Sequence, residues 1–432
     1  MVARDFLELS KNEELDVVKF ALENLIDASG EFRLENVDGN LSSLYLYHDL
    51  GDITPFLIYL GEHGLINDLL GKVSEVIARD GGLISGSPTF GKFHGFSKSY
   101  EYSDFLLGLE DCHRTIGSEQ SKELLLSQIK DAENKFRFGA RHCSYYSNNF
   151  RVRIPIVDTR DTMFIEVYCD LWNSLRDEIY LQTAVKLFDE FARLRLKDKL
   201  GLLPDFYMNA ILKRLLGVKP NYTLMKNQTN TLQAYLRLYD ETKELKVLQE
   251  VDSLFASIIH NFQLGVGQFS DSIKKFDSDV SLKASFALIE FIIEYQLVTK
   301  DTRYIQHAID IADFWRSKIG ETGLFPMTSE NSISFIDSQT DMVISLWRLG
   351  ALINDKSTLA LGDQAFVALR RHHAQKSFPL HVNVTSGEVT NTTIRTKFVF
   401  LYLKTLIALR VRNSQIQDLN IDLNYRRLLR DR

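Results

Sequence analysis

Proline is scarce in this sequence, at 7 of 432 residues, about a third of the ordinary usage of roughly 5%. With 23 glycines as well, few residues interrupt helices, so a mostly helical protein is expected. A basic excess is also missing: 51 Lys and Arg stand against 57 Asp and Glu, a net charge of −6. That balance gives no drive to bind nucleic-acid phosphates. The three cysteines, Cys112, Cys143 and Cys169, are too few and too scattered for a disulfide framework, and a reducing, cytoplasmic setting is expected. No stretch approaches the roughly 18 consecutive apolar residues of a membrane span. The N-terminus carries Asp5 and Glu8 where a signal peptide would be apolar, so neither a leader nor a membrane association is expected. Gly-x-Ser-x-Gly, Walker and dinucleotide fingerprints are absent. Cys112-His113 and His142-Cys143 lack the spacing of zinc ligands, so no metal and no cofactor are expected.

What is present is an ample core, 45% apolar, with a surplus of rings: 28 Phe, 17 Tyr and 3 Trp. Seven segments share one layout, a polar cluster with an acid or amide followed by an apolar-rich helix. Their anchors are Asp52, Asp104, Asp161, Asn230, Asp279, Asp341 and Arg395, spaced by 49 to 69 residues. Between anchors lies a second helix with the i, i+3/i+4, i+7 pattern of a half-exposed face, such as Thr183–Leu194 or Ile305–Trp315. Glycine-led loops follow it at Gly81, Gly201, Gly267 and Gly323, where a left-handed cap would end the helix. Helices that follow the anchors, such as those from Phe286 and Phe398, are apolar nearly all round and must be buried on several sides. Two concentric rings of helices satisfy both patterns. The expectation is an all-α protein, an α/α toroid of six or seven hairpins, with one domain over residues 1–412 and a polar extension over 413–432.

Loops entering the inner helices of such a ring converge on one mouth. Acids there can cap the helices, yet several units carry two: Asp49 with Asp52, Glu101 with Asp104, Asp158 with Asp161, Asp277 with Asp279, and Asp337 with Asp341. One acid suffices for a cap. The second either sits in an Asx-type turn or faces the cavity, where crowded carboxylates raise one another's pKa and can keep a general acid protonated. Glu101, Asp104, Asp49, Asp158 and Asp337 are therefore the candidate catalytic residues. His48, His94, Tyr100, Tyr145, Arg160, Lys226 and Arg395 share these loops and are the candidate sugar-binding residues. Tyr102, Tyr146, Phe90, Phe93, Phe96, Phe206 and Tyr207 would add ring faces for the CH faces of sugars. The cations hint at an anionic sugar.

This layout resembles the six-hairpin glycosidase superfamily, α/α toroids that include hydrolases, unsaturated uronyl hydrolases and sugar 2-epimerases. Ile156-Val-Asp158-Thr-Arg-Asp-Thr-Met is similar to the segment that carries the catalytic aspartate of unsaturated glucuronyl hydrolases, which implies that role for Asp158. Phe335-Ile-Asp337-Ser-Gln-Thr-Asp is similar to that family's Asp-Ser-Ser-Ala segment, and His48-Asp49-Leu-Gly to another of its loops. A seventh hairpin is similar to α-mannosidases and lanthionine cyclases, but their calcium and zinc motifs are missing. The resemblance implies a carbohydrate substrate and, first, glycoside hydrolysis. Epimerisation, isomerisation or elimination on the same scaffold, and a non-catalytic toroid binding a glycan or protein, are the alternatives. Oligomeric state is left open.

Overall fold

The scarcity of helix breakers is realised, in the computed structural model, as fourteen α-helices among the described residues, which are 13–28, 32–42, 47–80, 96–138, 141–154, 156–208, 225–273, 279–373 and 378–414. In chain order the helices are α1 (Glu13–Asn24), α2 (Thr54–Leu60), α3 (His63–Asp80), α4 (Ser99–Ile116), α5 (Glu119–Phe136), α6 (Met163–Leu175) and α7 (Glu178–Leu196). They continue with α8 (Met225–Thr242), α9 (Leu245–Phe262), α10 (Leu282–Thr299), α11 (Ile305–Arg316), α12 (Ile336–Leu352), α13 (Lys356–His373) and α14 (Thr396–Ser414). The chain divides into two compact units, residues 47–262 and residues 1–46 with 263–432. In the first, α2 packs on α3, α4 on α5, α6 on α7 and α8 on α9. In the second, α10 packs on α11, α12 on α13, and α14 on α1 from the other end of the chain. Seven pairs result. The last is fastened by Glu13 to Arg370 on α13, with Nε to Oε1 at 2.9 Å, and by Glu14 to Arg410 at 3.1 Å.

Burial separates the two helices of a pair as the apolar patterns predict. Of its 17 residues α12 buries 14, whereas its partner α13 buries eight of 18. A helix buried on most sides gains about 1.5–3 kcal/mol per large apolar side chain removed from water, and Trp347 and Leu346 in α12 are 1% and 0% exposed.

The glycine-led loops differ from expectation. Gly201, Gly267 and Gly323 are left-handed, with φ of 64°, 68° and 87°, but they lie several residues past their helix ends rather than capping them. At Gly267, on a hairpin tip, an added Cβ would lie 2.1 Å from the Asp310 carbonyl oxygen, so only glycine fits. The left-handed residues that do follow helices come after the first helix of each pair: Gly61, Gly117, Arg176, Lys243, Lys300 and Asn354. Four of these six carry a Cβ that disfavours this conformation by roughly 1–2 kcal/mol. Lys300→Gly is therefore expected to stabilise the fold by about 0.5–1 kcal/mol, read from the urea midpoint.

A further repeat element joins loop to helix. In α8 the Gln228 amide accepts from Leu203 N at 3.1 Å and donates to Leu203 O, and in α12 Gln339 does the same to Phe325, at 2.9 and 2.8 Å. Each glutamine thus acts as a strand partner for the third residue of a Gly-Leu-x-Pro loop. Gln339→Leu leaves the Phe325 N–H and C=O unpaired in a buried place, and a loss of about 2–4 kcal/mol in unfolding free energy is expected.

Candidate functional site

Two small antiparallel sheets, whose strands are too short to show a period in the sequence, set the site within the 47–262 unit. Strand Phe96–Lys98 runs directly into α4 and pairs with Tyr145–Ser147, placing Lys98 opposite Tyr145. The latter strand also pairs with Val152–Ile154. Strand Ile156–Asp158 pairs with Phe206–Met208 and passes into a 3-10 turn, Thr159–Thr162, that leads to α6. Ser144 ties the two sheets, its carbonyl accepting from Ser99 N at 2.9 Å and its N–H donating to Ile156 O at 2.7 Å.

Asp158 sits at the junction, 1% exposed. Its Oδ1 accepts from Arg160 N and Arg160 Nε, both at 3.0 Å, so it caps the 3-10 turn and begins a two-pronged ion pair. Arg160 Nη2 completes the pair at 2.6 Å from Oδ2, and the Tyr145 hydroxyl donates to the same oxygen at 3.3 Å. The Arg160 guanidinium carbon lies over the Tyr100 ring, 3.6 Å from its centroid. The Tyr100 hydroxyl donates to Glu101 Oε1 at 3.4 Å, and the same oxygen pairs with buried Lys98 at 3.2 Å. Burial pushes the Asp158 carboxyl up from its ordinary value, against the pull of Arg160 and with a further push from Asp161. Burial also raises the Tyr100 and Tyr145 phenols, helped by Glu101 and by Asp158 respectively, so both stay protonated donors. Lys98 is lowered by burial, with Glu101 opposing.

Asp161, an anchor of the sequence pattern, caps nothing. Fully buried, it accepts from the Ser99 and Ser144 hydroxyls and lies 2.9 Å from His142 Nε2. Ser144 Oγ also accepts the Asp158 N–H. Asp161 thus sets Ser144, and Ser144 sets the backbone of Asp158.

No protein-family model matches the sequence, and no curated protein is significantly similar to it. The fold has many counterparts among solved structures. A cellobiose 2-epimerase from Bacillus thermoamylovorans superposes with a TM-score of 0.58 at 12% identity, over 93% of this chain and 99% of that one. A GH76 α-mannanase from Bacteroides thetaiotaomicron gives 0.51 at 11%, over 96% and 97%. An unsaturated glucuronyl hydrolase solved with dGlcA-Glc-Rha-Glc gives 0.52 at 12%, over 80% and 95%. The chain shares the α/α-toroid fold of these proteins.

On this toroid scaffold, Tyr100, Glu101, Tyr145, Asp158 and Arg160 come together as one contact chain, and Lys98, Asp161, Ser144 and His142 are the members that sequence reasoning did not assign to the site. Asp49 and Asp104 also meet in this unit, with Asp104 one helical turn along α4 from Tyr100 and Glu101; they and Asp52 bring carboxylate oxygens within 4.8 Å of one another. Gly108 permits this approach, since a Cβ there would lie 2.7 Å from the Leu50 carbonyl carbon. Tyr102 is not a rim residue: it is buried between α4 and α5, its hydroxyl 2.8 Å from Asp131 and 2.7 Å from Lys135. Lys226 is half-buried in the first turn of α8.

Asp337 and Arg395 belong to the other unit. The Asp337 carboxylate accepts from Ser338 Oγ at 2.9 Å, and Arg395 pairs with Glu35 at 3.2 Å across a short sheet. His94, Asp277, Phe90 and Phe93 lie outside the described residues, as do the side chains of His48, Phe96, Phe206 and Tyr207. Among the described residues no helix is long and apolar enough to cross a membrane.

Proposed function

We propose that the chain is a carbohydrate-active enzyme in which Asp158 is the proton donor to a sugar oxygen. One observation carries this reading: a buried carboxyl, raised by burial, lies against an arginine and a tyrosine at the entry to an inner helix. A group able to hold a proton near neutral pH and hand it to a leaving oxygen is the central requirement of glycoside cleavage. Tyr100 and Arg160 would orient the sugar, and Glu101, held by Lys98, is the second carboxylate of the constellation. Hydrolysis of an oligosaccharide, including one that contains a uronic acid, is the reaction we favour. The likeness to a sugar 2-epimerase supports a second reading, epimerisation or isomerisation, because the same acid can protonate a ring or enolate oxygen. The tight pairing of Asp158 with Arg160 favours a third, a toroid that binds a glycan without turning it over.

Product analysis separates these. Incubation with cellobiose and with uronic-acid oligosaccharides should release a shorter sugar if hydrolysis operates, or yield a new disaccharide of equal mass if epimerisation does. Tight binding with no new product would leave only the non-catalytic reading. The pH dependence has a definite sign. A donor must be protonated, so turnover should hold below the raised pKa of Asp158 and fall as pH rises through it. In Arg160→Gln the cation that pulls this pKa down is gone, and the alkaline limb of the kcat profile is expected to move to higher pH.

A further inference from the structure

Of the two side chains in the Asp158–Arg160 pair, Arg160 is the one open to solvent. The arginine side chain is 29% exposed and the aspartate side chain 1%. The Tyr100 ring lies against the guanidinium carbon, and Asp158 takes its Nε and Nη2. The pair is two-pronged, the geometry in which a guanidinium discriminates best in favour of a carboxylate. A neutral sugar hydroxyl that pulled Arg160 away would leave a buried ion without its partner, which is strongly unfavourable. A ligand carboxylate would not, since it offers the guanidinium an equivalent acceptor.

We infer that Arg160 is the docking point for a ligand carboxylate, which takes over the guanidinium edge held by Asp158 and leaves Asp158 to pick up a proton from solvent. The inference rests on the reading of Asp158 as proton donor and adds how that donor is loaded. The balance is simple: the ligand brings one negative charge, Asp158 gains one proton, and the net charge around Arg160 is unchanged. The surroundings favour this exchange. The groups that interact with the pair are Asp161 on the same turn, Lys98 and Tyr100 from the start of α4, and Tyr145 from the hairpin, with Glu101 bonded in turn to Lys98 and Tyr100. Lys98 is already paired to Glu101, and the neighbouring carboxylate of Asp161 disfavours a second uncompensated negative charge. Burial acts in the same direction on Asp158. The enzyme would then hold its acid discharged until a carboxylate-bearing sugar arrives, which couples charge recognition to catalytic readiness.

Calorimetric titration of the full chain with D-glucuronate, in two buffers of different ionisation enthalpy near pH 6, reads this exchange directly. Uptake of roughly one proton per bound glucuronate is expected, with none on titration with D-glucose. Arg160→Gln should weaken glucuronate at least about tenfold. Binding without proton uptake, binding unaffected by Arg160→Gln, or no binding of glucuronate would each overturn the inference. If the variant does not fold, the proton count of the native chain decides alone. Conversion of cellobiose, followed separately, tells the two readings apart. Conversion without glucuronate-linked uptake removes the exchange and leaves the enzyme, whereas uptake with no conversion of any sugar leaves the exchange and removes the enzyme.

Discussion

With Asp158 replaced by Asn, turnover of the productive sugar is expected to fall about a thousandfold, the middle of the range for loss of a general acid. The amide is nearly isosteric, and its one oxygen can still accept either from the Arg160 backbone N–H or from Tyr145, which bond opposite oxygens of the carboxylate. What is lost is the transferable proton. The cost in stability should be smaller than for a fully buried ion pair, about 1–2 kcal/mol, because Arg160 retains access to water. Steady-state kinetics beside a urea titration separates the two effects. A large fall in kcat with a modest shift in midpoint is the expected pattern, and near-native kcat would remove Asp158 from the chemistry.

The largest effect on folding is expected at Asp161. In Asp161→Ala the Ser99 and Ser144 hydroxyls and His142 Nε2 lose their common partner at a position with no solvent access. Buried polar groups stripped in this way together cost about 3–5 kcal/mol. The readout is the urea midpoint at constant slope. Activity should also fall, since Ser144 then no longer fixes the Asp158 N–H. Asp161→Asn retains the shape and one acceptor and should lose less on both counts. Equal losses in the two variants would show that shape and a single acceptor are not enough there and that both carboxylate oxygens are needed.

These two acids show where sequence reading succeeds and where it stops. The helices were legible because burial imposes a period of 3.6 that survives in the residue order, and α7 and α11 lie where their patterns place them. The doubling of Asp158 and Asp161 was legible as well. Which member caps the turn and which gathers the buried serines and histidine was not, because the partners that decide it, Ser99, His142 and Ser144, are 62, 19 and 17 residues away in sequence. Lys98 and Tyr145 are brought opposite each other by strands of three residues, too short for an alternating pattern. The ends of the first helices were hidden for another reason: Arg176, Lys243, Lys300 and Asn354 adopt the left-handed conformation without the glycine that usually announces it. Glycine signals in the loops then drew the caps to the wrong place. Tyr102 illustrates the same limit for rings, since a tyrosine beside a site residue on a helix points to a different neighbour.

The most direct test of the account is proton NMR of an oligosaccharide incubated with the native chain and with Asp158→Asn, using cellobiose and a uronic-acid oligosaccharide in parallel. New anomeric signals that grow with the native chain and are about a thousandfold slower with the variant are expected. Unchanged spectra for both sugars, or equal rates for the two proteins, would contradict it.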